Sequence, residues 1–236
     1  MKRILIVEDE VAIREFEAIN LTRVGYETVE AGSGEEALQI FDNDPDGFDI
    51  ALLDVMMPGM DGFALCKELR SRSESIGIIM LTAKSQEMDK ISGLMIGADD
   101  YVTKPFSPTE LLARVDSLYR RVSKTKPGAA QKPSTQLESG RFILDLRSRT
   151  LLKDGKNIEL TQIEFQIMEY FFANPDEAIG RSTILHKIWG DAYFGEEKIV
   201  DVNIRRLRMK IEEDASDPRY IVTVWGMGYK WNTAAQ

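Results

Sequence analysis

The chain has 236 residues, 43% hydrophobic and 29% charged, with a net charge of −9. This is enough for two ordinary globular domains of a soluble protein. No apolar run reaches the ~18 residues of a membrane span, and "MKRILIVEDE" meets acids too early for a signal-peptide core, so a cytoplasmic location is expected.

The single Cys66 excludes a disulfide within the chain and fits a reducing compartment. The charge is uneven. Residues 1–121 carry 13 Lys and Arg against 23 Asp and Glu, which leaves 17 and 16 for residues 122–236. The first half is acidic, and the second is nearly neutral with its bases clustered.

In chain order, "RILIVE" (3–8), "ETVEA" (27–31), "DIALLD" (49–54), "GIIML" (77–81) and "DDYVTK" (99–104) are short β-type runs. Amphipathic stretches such as "EEALQIF" and "FALCKELR" separate them. Five such alternations predict an α/β fold, a doubly wound five-stranded parallel sheet with helices on both faces. Ligand sites in such sheets lie beyond the carboxyl ends of the strands. Glu8 and Asp9 end the first strand, Asp54 ends the third, Thr82 follows the fourth and Lys104 follows the fifth.

Those five residues therefore converge on one rim. Three acids without internal bases repel, so a hard cation, Mg²⁺ or Mn²⁺, is the expected occupant. A carboxylate beside such a cation and an ammonium suits nucleophilic attack on a phosphoryl group, giving an acyl phosphate, with Thr82 donating to a phosphoryl oxygen.

"VEDE", "LLDVMMPGMDG", "LTA" and "GADDYVTKPF" make residues 1–121 resemble the receiver (CheY-like, flavodoxin-like) domain of two-component response regulators. The resemblance implies that Asp54 is phosphorylated by a sensor histidine kinase. It also implies that Glu8, Asp9, Asp54 and the main-chain oxygen of Met56 hold the metal. Thr82 and Tyr101 become a switch pair, Lys104 contacts the phosphate, and Pro105 follows a cis peptide. Met57-Pro58-Gly59 then form the turn that leaves Asp54 exposed. A phosphatase using an aspartyl-phosphate intermediate is the rival reading, but Met56 stands where its general acid would be, so the chain is not expected to be an enzyme.

Residues 86–121 offer a second face, read as a helix, the fifth strand and a closing helix. In the OmpR/PhoB subclass, positions matching Lys90, Asp99, Asp100, Glu110, Arg114 and Arg121 form salt bridges between two copies. The resemblance thus implies a homodimer on phosphorylation.

"VSKTKPGAAQKPSTQ" (122–136) lacks apolar periodicity and reads as a flexible linker. Short strands "RFILDL", "TLLKDG" and "KNIEL" follow, then helices near 161–173 and 181–188. In "EKIVDVNIRRLRMKIEED", Val200, Ile204, Leu207 and Ile211 recur at helical spacing as the core face. At ~100° per residue, Lys198, Val202, Arg205, Arg206 and Met209 then point outward, with Asn203 at the border. Arg pairs with guanine edges, an apolar side chain suits a thymine methyl, and Asn reads adenine. "RYIVTVWGMGYKW" reads as a hairpin turning at Gly226-Met227-Gly228.

Strands, three helices and a terminal hairpin predict an α+β winged helix-turn-helix over 137–236. "ELTQIEFQIMEYF", "VDVNIRRLRMKIE" and "GMGYKW" are similar to the DNA-binding domain of the same OmpR/PhoB subclass. By that resemblance helix 197–213 enters the major groove of double-stranded DNA, Arg208 joins its contacts, and Trp189, Thr223 and Tyr229 match positions on the sugar-phosphate backbone. RNA polymerase is a further partner it allows. Trp225 stands in the wing where relatives often have Arg, and Lys198 replaces a second Arg. His186 is the only histidine, so no metal role is expected for it. The combined expectation is a phosphorylation-dependent transcriptional regulator. Its rival from another class is a module whose winged helix binds protein.

Overall fold

Five strands of five to seven residues form the spine of the N-terminal unit: β1 (Arg3–Val7), β2 (Glu27–Ala31), β3 (Ile50–Asp54), β4 (Gly77–Ala83) and β5 (Asp100–Lys104). All are parallel, in the order β2-β1-β3-β4-β5. Helices α1 (Val11–Arg23), α2 (Gly34–Asn43), α3 (Gly62–Arg72) and α4 (Pro108–Ser123) accompany them. The computed structural model describes residues 2–83, 96–123, 136–190, 193 and 196–235. The chain divides into two units, Met1–Lys124 and Thr125–Gln236.

Alternation along the strands decides which side chains meet which helices. Ile4, Ile6, Ile50, Leu52, Ile79, Leu81 and Val102 form one buried layer with Ala18 and Leu21 of α1 and Leu111, Val115 and Leu118 of α4. Leu5, Val7, Ala51, Leu53 and Met80 are equally buried and face the other way. Burying both faces is why the three inner strands, β1, β3 and β4, are nearly continuous apolar runs. Ser33 caps α2 by accepting from Glu36 N (3.2 Å), and Asp61 caps α3 by accepting from Ala64 N (2.7 Å). Such caps are worth about 1 kcal/mol each and fix where the helices leave the rim.

The C-terminal unit opens with an antiparallel sheet in the order β6-β7-β8-β9: β6 (Gln136–Ser139), β7 (Phe142–Asp145), β8 (Thr150–Lys153) and β9 (Lys156–Ile158). Helices α5 (Gln162–Ala173), α6 (Arg181–Trp189) and α7 (Lys198–Ile211) follow. The hairpin β11 (Ile221–Val224) and β12 (Gly228–Trp231) joins the two-residue β10 (Ile179–Gly180) in a second sheet, ordered β10-β12-β11. This is a winged helix-turn-helix. Trp231 sits at the centre of its core, fully buried, against Phe142, Phe172 and Tyr220, with its indole N–H donating to Ser139 Oγ at 2.8 Å.

The structure differs from the sequence expectation in small ways. α4 continues through Ser123 and β6 begins at Gln136, inside both ends of the expected linker. The hairpin turns one residue earlier, with Met227 N donating to Val224 O (3.0 Å) and Gly226 at φ +75°. Gly228 is then a strand residue, and a Cβ there would meet Ile179 O at 2.1 Å, so only glycine lets β10 pair with the wing.

Candidate functional site

The parallel topology brings Glu8, Asp9, Asp54, Thr82 and Lys104 to one edge of the sheet. Carboxylate oxygens of Glu8, Asp9 and Asp54 lie within 4.8 Å of one another. Lys104 Nζ stands between two of them, donating to Glu8 Oε2 at 2.6 Å and lying 2.8 Å from Asp54 Oδ1. Thr82 is buried in β4, not beyond it as its place in the sequence suggested. Tyr101 is also buried. The Lys104–Pro105 peptide is cis.

Asp54 is largely covered, with 7% of its side chain exposed, whereas the turn 57–59 suggested an open carboxylate. The turn does expose its neighbour Met56, at 64%. α3 starts hard against the end of β3: a Cβ on Gly62 would lie 2.2 Å from Asp54 O, so the helix can start there only with glycine.

Burial pushes the Glu8 carboxyl above its ordinary value; the Lys104 hydrogen bond offsets part of this and repulsion from Asp54 adds to it. Burial opposes charge on Lys104, yet hydrogen bonds to Asp54 and Glu8 outweigh it and hold the ammonium above its usual range. Three carboxylates against one ammonium leave net negative charge in a half-buried space. Their all-oxygen donor set fits a hard divalent cation.

Beneath the rim lies a residue the sequence reading passed over. Glu17 of α1 is fully buried, and neither carboxylate oxygen has a hydrogen-bond partner among the described residues. Burial, with repulsion from Glu8 and Asp54 and partial relief from Lys104, pushes it up to about 8. It shares the buried side of α1 with Ala18 and Leu21, one and four positions on.

The expected face at 86–121 is less open than its sequence implied. Asp99 is buried and paired with the buried Arg70, and it accepts from Ile78 N at 2.8 Å. Asp100 is buried and paired with Arg114 at 3.2 Å within the same chain. Arg114 also reaches Glu110 at 3.6 Å, and the Glu110 side chain is 41% exposed. Three of the expected interface charges are thus held inside the unit, because a strand and a helix covering the sheet edge bury the polar groups between them. Lys90 and the side chain of Arg121 lie outside the described residues.

α7 also turns differently from expectation. Its buried side takes in Ile199, Val202, Asn203 and Arg206 besides the expected stripe. Asn203 donates to Ile199 O at 2.8 Å. Arg206 Nε lies 3.1 Å from the buried Glu164, whose other oxygen accepts from Lys210 Nζ at 2.8 Å. Val202, Asn203 and Arg206 are therefore removed from the outward face. The reason is that α5, with Thr161 and Glu164 closing a capping box, presents a buried carboxylate that an arginine must answer. Burial would raise Glu164, but Arg206 and Lys210 outweigh it and hold it below the usual carboxylate range.

What α7 presents outward is Lys198, Arg205 and Met209, with Asp201 and Arg208 at the margin. Trp189 is buried against Tyr193. Arg208 donates to Ile221 O and Thr223 Oγ1, both at 2.9 Å, tying the helix to the hairpin. Tyr229 is buried and its hydroxyl donates to Asp201 at 2.6 Å. Trp225, at the hairpin tip, is 91% exposed.

A receiving rim on a parallel sheet, carried on one chain with a winged helix, defines a signal-responsive DNA-binding regulator. Residues 4–116 match the response regulator receiver domain family, and residues 155–231 match the family described as transcriptional regulatory protein, C terminal. The chain is 44% identical over 232 residues to "Probable transcriptional regulator ycf27" of Cyanophora paradoxa, covering 97% of this chain and 95% of that one. It is 42% identical to "Sensory transduction protein RegX3" of Mycolicibacterium smegmatis, covering 98% and 99%. A solved structure, the response regulator DrrB, described as a Thermotoga maritima OmpR/PhoB homolog, is 32% identical, covers 98% and 99%, and has a TM-score of 0.50. The chain belongs to the OmpR/PhoB-type two-component response regulators, phosphorylation-dependent transcriptional regulators that join a receiver to a C-terminal regulatory domain. Among the described residues no helix is long and apolar enough to cross a membrane.

Proposed function

We propose that Asp54 is the phospho-acceptor of a cytoplasmic regulator whose donor is a sensor histidine kinase. The observation that carries this is the rim itself, with Lys104 2.8 Å from Asp54 and three carboxylates within 4.8 Å. An Asp54 oxygen forms the new P–O bond as the donor's P–N bond breaks and its electron pair returns to the imidazole. Lys104 then exchanges carboxylate contacts for the transferred oxygens, and Thr82 supplies a hydroxyl donor. Glu8, Asp9, Asp54 and the main-chain oxygen of Met56 would hold Mg²⁺ or Mn²⁺, which when bound neutralises charge on the phosphoryl oxygens.

Tyr101 and Thr82 are the switch pair, and the phosphorylated receiver pairs with a second copy. With Asp99, Asp100 and Arg114 engaged internally, Glu110, Lys90 and Arg121 are the charges left for that contact. Dimerisation would raise affinity for adjacent half-sites through effective concentration. Lys198, Arg205, Arg208, Thr223 and Trp225 are the proposed DNA contacts, with RNA polymerase as a further partner.

The test is acetyl phosphate treatment followed by intact mass. One phosphoryl group is expected, only with the divalent cation present, lost in base and absent in Asp54→Asn. Labelling that persists in Asp54→Asn contradicts the assignment. Sedimentation of the labelled protein should show a salt-sensitive dimer.

A further inference from the structure

α6, α7 and the hairpin meet at a polar cluster in which Arg181 and Asp201, neither among the expected contacts, join Tyr229. Arg181, the first residue of α6, donates from Nε to Asp201 Oδ1 at 2.7 Å and from Nη2 to the Tyr229 hydroxyl at 3.4 Å. Tyr229 donates in turn to the same Asp201 oxygen at 2.6 Å. The Arg181 guanidinium lies 4.9 Å from the Tyr229 ring centroid and the Arg208 guanidinium lies 5.4 Å from it. A tyrosine ring thus holds two cations at the seam of recognition helix and wing.

Arginine carries five N–H donors in a planar fork. Arg181 commits one edge to Asp201 and Tyr229; Nη1 has no hydrogen-bond partner among the described residues, and 28% of the side chain is exposed. Asp201 stands one helical turn from both Lys198 and Arg205, the exposed bases of α7. The open edge of Arg181 is therefore next to the surface that faces DNA, on an element that does not itself enter the groove. A fork stacked on a ring and braced on one edge loses little freedom on binding, and its geometry matches two phosphate oxygens.

We propose that Arg181 contacts a backbone phosphate, with Asp201 and Tyr229 as the positioning residues that aim it. This rests on the DNA-binding reading above. It assigns Tyr229 an indirect part: the tyrosine hydroxyl serves Asp201, not the nucleic acid. A contact of this kind sets register and affinity and carries no sequence information.

The experiment uses the full chain, a duplex selected by the wild-type protein from a random pool, and an unrelated duplex. Arg181→Gln keeps a donor toward Asp201 and removes the charge. Its affinity should fall on the order of tenfold on both duplexes, leaving their ratio unchanged. The slope of log affinity against log salt should flatten by ~1, and Arg181→Lys should restore it. Duplexes neutralised at single phosphates by methylphosphonate add a positional readout: one position should weaken the wild type and leave Arg181→Gln unaffected. A purely structural tie would lower the thermal midpoint with the salt slope and the phosphate pattern unchanged, which would overturn the proposal. Salt-insensitive binding by the wild type itself would instead sink the DNA-binding reading.

Discussion

Each unit gathers charge around a buried carboxylate, with opposite electrostatic results. On the receiver rim, Glu8, Asp9 and Asp54 face the single ammonium of Lys104. In the winged helix, the single Glu164 faces Arg206 and Lys210. The rim keeps surplus negative charge near solvent, where a cation or a phosphoryl group can complete it. The Glu164 cluster is closed, because both carboxylate oxygens face a base, so its work is to lock α5 against α7. Surplus charge marks the reactive site, and matched charge marks the structural one.

The largest effect should come from breaking the closed cluster. Glu164→Ala removes the buried carboxylate that faces both Arg206 and Lys210, and losing one member of a buried pair costs about 3–5 kcal/mol. Denaturant unfolding of the C-terminal unit should show this loss. The matching change on the rim, Asp54→Asn, removes one of three mutually repelling acids, so the receiver's midpoint should hold or rise.

The comparison sharpens at Glu17, the orphaned acid below the rim. An unfolded chain ionises it near 4.5, whereas the folded receiver keeps it protonated up to about 8. Between those values the native state binds the extra proton, so its contribution to stability falls as pH rises and is flat above about 8. At about 1.4 kcal/mol per pH unit this reaches a few kcal/mol. Glu17→Gln should raise the urea midpoint at pH 8.5 and leave it nearly unchanged at pH 4.5. Equal shifts at both values would contradict the assigned proton.

Smaller effects separate neighbours on α7. Arg205→Ala should cost ~1–3 kcal/mol of DNA affinity and nothing in stability, while Arg206→Ala should cost stability first. Trp225→Arg should steepen the salt slope by ~1 and favour A·T flanks, since arginine supplies the positive charge that a narrow minor groove attracts. Affinities across a salt series with A·T and G·C flanks read both.

The rim was legible residue by residue because parallel topology sends strand ends to one edge, so a residue's place in its run fixes its place in space. Thr82 and Lys104 moved by at most a residue or two. α7 was legible only as a helix. Its face was read from four aliphatic residues, and nothing in "VNIRR" tells that Asn203 and Arg206 turn inward. That choice is made by Glu164, 42 positions away, and by the Asn203 bond to Ile199 O. The inward turn of Asp99 was hidden likewise, because its partner Arg70 sits on α3, far away in sequence. Charged residues reveal their direction only when the element holding the counter-charge is known. Arg181 and Asp201 were overlooked for the same reason: they are 20 positions apart and meet only once α6 and α7 pack.

The central claim joins the two units, since phosphate on Asp54 is to govern what α7 binds. Its most direct measurement is the affinity of the full chain for a selected duplex with paired half-sites, before and after phosphorylation, for wild type and Asp54→Asn. The account predicts tighter, cooperative binding by the phosphorylated wild type and no change in the variant under the same treatment. Equal affinity of phosphorylated and unphosphorylated wild type, or an equal gain in Asp54→Asn, would contradict it.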